Sequence, residues 1–179
     1  MKIVLIGAGS YVFGPSILKQ AIVDNQLEDV ELALMDVDSE IVTRMAGVAR
    51  RMLAEYNRQD AITVTAHTTW ESALPDADYV ICAVAIQGQK RFEQDVEIIR
   101  QYIPDHLVTE FGGIAGTSYS LRQIAMIRQL TDAMKIYCLD AWLMNVANPL
   151  PRVSQAAHEN GIKTIGFCSV AQEVHGRLW

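Results

Sequence analysis

Short apolar runs recur along the chain, each followed by a stretch in which apolar positions return at helical spacing. Lys2–Ile6 is rich in Ile, Val and Leu and stops at Gly7, as does a strand buried on both faces. Val30–Met35 is a second such run, ending in Asp36. Residues 62–66 alternate in strand fashion, and the runs at 79–84, 142–146 and 163–168 predict three more strands. Between them lie helical patterns. One begins near Pro15 with Ile17, Leu18, Ala21 and Ile22; another spans 40–56 on Ile41, Met45, Val48 and Met52. A short helix is predicted over 70–78 and a longer one over 89–102, with Val96, Ile99 and Ile103 as its stripe. Residues 109–117 are too glycine-rich for either regular element and read as a loop before a helix over 118–133. A last helix over 150–160 closes at Gly161. Asn148-Pro149 ends the fifth strand, because the residue before proline avoids helical backbone angles.

Six strands alternating with helices predict an α/β fold: a Rossmann-type doubly wound parallel sheet with strand order 3-2-1-4-5-6, related to the lactate and malate dehydrogenase fold. Ligands of such sheets bind beyond the carboxyl ends of the strands, where the order reverses. That rule selects Gly7 to Ser10, Ala83 to Gln87, Asn145 to Asn148, and Cys168 with Ser169.

The turn after the first strand carries the most chemistry. Gly7 and Gly9 remove β-carbons where a pyrophosphate must come close, and the following helix directs its positive end toward it. A full Gly-x-Gly-x-x-Gly would need glycine at position 12; the chain has Val12, and Gly14 comes two residues late. Asp36 supplies further weight. It stands about 27 residues beyond Gly9, where a carboxylate takes the hydroxyls of an adenosine ribose, while Asp38 and Ser39 already fill the helix-capping position. The cofactor residues are therefore Gly7, Gly9, Ser10, Tyr11, Val12, Phe13 and Asp36. Because the acid repels a 2′-phosphate, NAD is expected over NADP.

Composition narrows the function classes. A 179-residue chain with 50% hydrophobic content buries one good core and reads as a single domain. Its net charge of −6, with no Lys/Arg cluster to offset it, argues against nucleic acid; Arg50-Arg51 reads as a solvated helix face. No apolar run reaches the roughly 18 residues that span a bilayer, and the N-terminal run is too short for a signal peptide. Three cysteines far apart, Cys82, Cys138 and Cys168, fit a reducing cytosol, so a cytoplasmic protein without membrane partners is expected.

At the far strands, Cys168 is either a buried thiol or a ligand reaching the crevice, and Asn148 either a turn residue or a hydrogen-bonding group for a polyol or metal-bound oxygen. His175 lies at no established ligand spacing from Cys168 and reads as a solvated or core histidine.

Taken together, Gly7-Ala8-Gly9-Ser10 with Phe13, Met35-Asp36-Val37-Asp38, Gly112-Gly113-Ile114, Asn145-Val146-Ala147-Asn148-Pro149 and Gly166-Phe167-Cys168 resemble the NAD-dependent glycosidases of glycoside hydrolase family 4. The resemblance covers the whole chain, and its last two motifs are the most specific. It implies hydrolysis of O-glycosyl bonds by redox elimination, with NAD⁺ taking hydride from sugar C3, a tyrosine removing the C2 proton, and a divalent metal, usually Mn²⁺, stabilising the enediolate. It implies Cys168 as a metal ligand and Asn148 as a sugar contact, with Arg91 the nearest candidate for a substrate-binding arginine, although its spacing to Asp95 is one residue longer than the family pattern. In some members an aspartate after the cysteine is the general acid; here that position is Ser169.

The resemblance also implies that residues 1–179 are the NAD-binding portion, with the second metal ligand, the tyrosine base and the surface through which full-length members form homo-oligomers in a later half. Exposed apolar surface is accordingly expected. Two other readings remain at this point: a non-catalytic NAD-binding module, and a 2-hydroxy-acid dehydrogenase, whose His and Arg pair is not found.

Overall fold

The computed structural model describes residues 1–168. Six parallel strands, β1 (Lys2–Ile6), β2 (Val30–Met35), β3 (Ile62–His67), β4 (Tyr79–Cys82), β5 (Trp142–Asn145) and β6 (Thr164–Gly166), form one sheet in the order β3-β2-β1-β4-β5-β6. The expected strand order is the observed one. β1 pairs with both β2 and β4, so the chain reverses its winding direction beside Gly7.

The connecting helices are α1 (Phe13–Lys19), which runs on through a π-helical turn (Gln20–Asp24), α2 (Ser39–Glu55), α3 (Trp70–Ala73), α4 (Gly88–Tyr102), α5 (Gly113–Tyr137) and α6 (Leu150–Glu159). Strand residues alternate between two cores. Val4, Ile6, Val80, Cys82 and Leu143 pack against α3, α5 and α6, whereas Leu5, Leu32 and Leu34 pack against α1 and α2. Val4, Leu5 and Ile6 are each at most 2% exposed. Full burial of side chains this size stabilises by about 1.5–3 kcal/mol each, which anchors the strand that feeds the glycine turn.

Several bounds differ from the pattern-based reading. β4 stops at Cys82 instead of reaching residue 84. Its neighbour β1 leaves the sheet at Gly7, whose φ of +80° turns the chain away, so the last sheet bond on that side is Ala83 N–H to the Ile6 carbonyl. The short helix covers Trp70–Ala73 and not 70–78, since Pro75 follows at once and Asp76 takes φ +60°. The largest difference is α5, which begins at Gly113, inside the expected loop. Its early glycine is there for contact: a β-carbon on Gly116 would meet the Glu110 carbonyl oxygen and the Phe111 carbonyl carbon, each at 3.0 Å. A glycine that lets a loop lie on a helix reads the same in sequence as one that breaks it.

α2 is capped as expected. The Asp38 carboxylate accepts from the Glu40 and Ile41 amides at 2.9 and 3.1 Å. Gly161 takes φ +86° after α6. Apolar residues are exposed on and before α5, including Leu107 (80%) and Leu121 (65%). No helix among the described residues is long and apolar enough to cross a membrane.

Candidate nucleotide cleft and the ends of strands five and six

The glycine turn folds back on β2. Gly7 and Ala8 both donate to the Met35 carbonyl, at 2.9 and 3.0 Å, which draws the turn to the start of the next loop. There the Gly9 amide donates to Asp36 Oδ2 at 2.9 Å, and the Asp38 amide donates to Oδ1 at 3.2 Å. A carboxylate oxygen has two acceptor sites, so Asp36 is held by the backbone and keeps acceptor capacity for two hydroxyls. Gly9 is required by this arrangement: a β-carbon would run into Ile41 Cγ2 and lie 2.8 Å from Asp36 Oδ2.

The missing third glycine of the motif is replaced by the late one. A β-carbon at Gly14 would stand 2.6 Å from the Ala8 carbonyl oxygen, so Gly14 gives the close approach of α1 to the strand end. Val12 immediately before α1 carries no such constraint and is 69% exposed.

A cavity of about 610 Å³ opens beside this turn at the carboxyl ends of β1, β2 and β4, with Gly7, Ser10, Asp36, Trp70, Ala85 and Gln87 among its lining residues. Of the cofactor residues expected from sequence, Gly7, Ser10 and Asp36 line it. Gly9 acts one step back, through Asp36. Phe13 packs against the core on the α1 and α2 side, and its amide donates to Ser10 Oγ at 3.2 Å; Tyr11 is 93% exposed.

Two lining features carried no signal in the sequence reading. Trp70, the first residue of α3, packs against the core while lining the cavity. The loop from Val84 to Ile86 is fastened by Gln123 of α5, a fully buried residue whose Oε1 accepts from the Ile86 amide at 2.9 Å and whose Nε2 donates to the Val84 carbonyl at 2.8 Å. A glutamine on the apolar stripe of a predicted helix is the only hint the sequence offers.

Asn148 and Cys168 lie at the ends of β5 and β6, and neither lines this cavity. Asn145 fixes the approach to Asn148: its Oδ1 accepts from the Ala147 amide at 3.0 Å, and its Nδ2 donates to the Ala147 carbonyl and to Ser154 Oγ. Asn148 is half-buried, with Nδ2 donating to Glu110 Oε1 at 2.9 Å, so the structure brings together an amide and a carboxylate that the sequence reading did not associate. Glu110 also faces Tyr119, whose hydroxyl is pushed up, first by burial and then by that carboxylate. Cys168 is exposed, unlike Cys82 and Cys138, both buried. Ser169 and His175 lie outside the described residues.

Arg91 is exposed on α4 and donates to Gln87, just before that helix, and to Gln94 within it, at 2.8 and 3.2 Å. Asp95 pairs instead with Arg122 of α5, at 2.7 Å, and accepts from Ser118 at 3.0 Å. Among the described residues there is no group of three or more His, Cys, Asp or Glu side chains able to hold a metal ion.

Known proteins place this architecture. A Bacillus subtilis (strain 168) α-galactosidase is 31% identical over 173 residues, covering 96% of this chain and 40% of that protein. The chain thus spans about two fifths of that relative's length. The Thermotoga maritima 6-phospho-β-glucosidase, solved with manganese, NAD⁺ and glucose-6-phosphate, superposes with a TM-score of 0.84 at 25% identity, over 99% of this chain and 43% of that one. A malate dehydrogenase from Plasmodium falciparum gives 0.64 at 18% identity, over 95% and 45%, a likeness of fold alone. The model of the family 4 glycosyl hydrolases matches residues 2–179. By that match the chain belongs to family 4 of the glycosyl hydrolases.

Proposed function

We propose that residues 1–179 form the NAD-binding portion of a glycosidase that cleaves O-glycosyl bonds by redox elimination. The observation that carries the cofactor half is the Asp36 carboxylate, held by the Gly9 amide at 2.9 Å on the wall of a cavity of about 610 Å³. The glycine turn fits a pyrophosphate: Gly7 and Ser10 line the cavity, and no side chain larger than serine stands at either position. Asp36 takes the two ribose hydroxyls and disfavours a 2′-phosphate, so the dinucleotide is NAD⁺. When bound, NAD⁺ supplies a reversible acceptor for the hydride at sugar C3, which acidifies C2 and permits loss of the aglycone.

The chain's own residues contribute binding and orientation. Asn148, fixed by Glu110, offers its amide to a sugar hydroxyl, and Arg91, which donates to Gln87 and Gln94, is the candidate substrate-binding arginine. Cys168, exposed at the end of β6, is a single donor for a divalent ion such as Mn²⁺. The described residues do not by themselves complete a metal site. The tyrosine base and any homo-oligomer contacts are assigned to the whole protein. The proposed location is the cytoplasm, on the free thiols.

The test is a melting experiment on this chain. NAD⁺ raises the melting temperature and NADP⁺ does so less; Mn²⁺ adds an increment that Cys168→Ser removes. Stabilisation by NAD⁺ with no Mn²⁺ increment favours a nucleotide-binding module, and no stabilisation by NAD⁺ overturns the proposal.

A further inference from the structure

We infer that Gln123 is a positioning residue for the dinucleotide, acting through the loop that follows β4. The inference rests on the NAD⁺ reading and adds a residue that touches no ligand. Gln123 is 0% exposed, and both ends of its amide are spent on one loop: it accepts from the Ile86 amide at 2.9 Å and donates to the Val84 carbonyl at 2.8 Å. Val84, Ala85 and Ile86 all line the cavity opposite the Asp36 side.

Those three residues have no sheet to hold them. β4 ends at Cys82, the last bond to β1 is made by Ala83, and α4 does not start until Gly88. Between these points the backbone turns through Gln87 at φ +45°. A loop with this freedom would sample many conformations, and a ligand that needs one of them loses affinity in proportion to the others. Two buried hydrogen bonds from a rigid helix select one conformation before the ligand arrives. α5 is suited to the task because it is anchored elsewhere in the core, by Ile127, Leu130 and Met134, all fully buried.

The side chain's chemistry matters as well as its shape. A group with a donor and an acceptor at the same end satisfies an N–H and a C=O two residues apart, and among side chains of this length glutamine does so without having to hold a proton against ionisation. Gln123→Met keeps the length and removes both bonds; Gln123→Glu keeps the acceptor for Ile86 and, in its ionised form, sets a carboxylate against the Val84 carbonyl.

The experiment measures NAD⁺ affinity by calorimetry on wild type and both variants, well below their melting temperatures, together with amide hydrogen exchange at Ile86 in the wild type without ligand. The expected result is a Kd raised about tenfold in Gln123→Met, with Gln123→Glu also weakened, the size expected for losing one to two buried hydrogen bonds. The Ile86 amide should be strongly protected in the free wild type. Wild-type affinity in both folded variants overturns the positioning role while leaving the NAD⁺ reading intact. Free exchange at Ile86 overturns it even if neither variant folds. Absence of NAD⁺ binding by the wild type removes the cofactor reading and this inference together.

Discussion

The Gly9 amide and the Asp36 carboxylate meet at 2.9 Å across 27 residues of chain, so the glycine turn and the acid of the second strand form one unit. Asp36→Ala therefore acts twice, removing the ribose acceptor and releasing the turn. The expected loss in NAD⁺ affinity is at least tenfold, with discrimination against NADP⁺ reduced. Competitive titration with the two nucleotides checks it, and unchanged discrimination counts against the assignment.

Glycine substitutions separate contact from propensity. Gly9→Ala forces its new methyl group against Ile41 and Asp36 and is expected to cost about 1–3 kcal/mol. Gly47, inside α2, has nothing within 4 Å of an added β-carbon. Gly47→Ala should stabilise by about 0.5–1 kcal/mol, since glycine costs a helix that much relative to alanine. Urea unfolding of both variants gives the comparison.

The Asp95 and Arg122 pair ties α4 to α5, with side chains 17% and 24% exposed. Arg122→Met leaves Asp95 with Ser118 alone and is expected to lower stability by about 2 kcal/mol, below the figure for a fully buried pair because solvent reaches both groups. The double variant with Asp95→Leu should recover part of the loss. An additive pair of losses would show that the two residues act separately.

Burial pushes the Cys82 thiol from the usual 9.0 up to about 11, partly offset by a backbone hydrogen bond at Val84. Below pH 9 the thiol is protonated both folded and unfolded, and its contribution is intact. As pH rises from 9 toward 11 the unfolded chain ionises first, so stability falls, by about 2–3 kcal/mol from this group. Burial moves Cys138 the same way. Urea midpoints at pH 8 and 10.5 should show the drop, and Cys82→Ala should lose a smaller amount between the two pH values.

Trp70 gives an optical reading of the cleft, as its ring lines the cavity and abuts the core. NAD⁺ should change the tryptophan emission of the wild type, and Trp70→Phe should abolish most of that change while Trp142→Phe leaves it. Emission insensitive to NAD⁺ in the wild type would place the nucleotide elsewhere.

The sequence by itself determined the six strands, their order and the cleft end of the sheet, because apolar periodicity and a glycine turn are local properties that packing here reinforces. It also singled out Asp36, since an acid at the end of a second strand needs no partner to be noticed. Tertiary structure alone decided which distant groups meet. Gln123 reaches Ile86 across 37 residues and Asn148 reaches Glu110 across 38, and neither pair leaves a periodic trace in the chain. The same limit explains α5. Whether Gly116 breaks a helix or lets Glu110 lie against it depends on what packs there, and a β-carbon that is absent carries no record of the neighbour it makes room for.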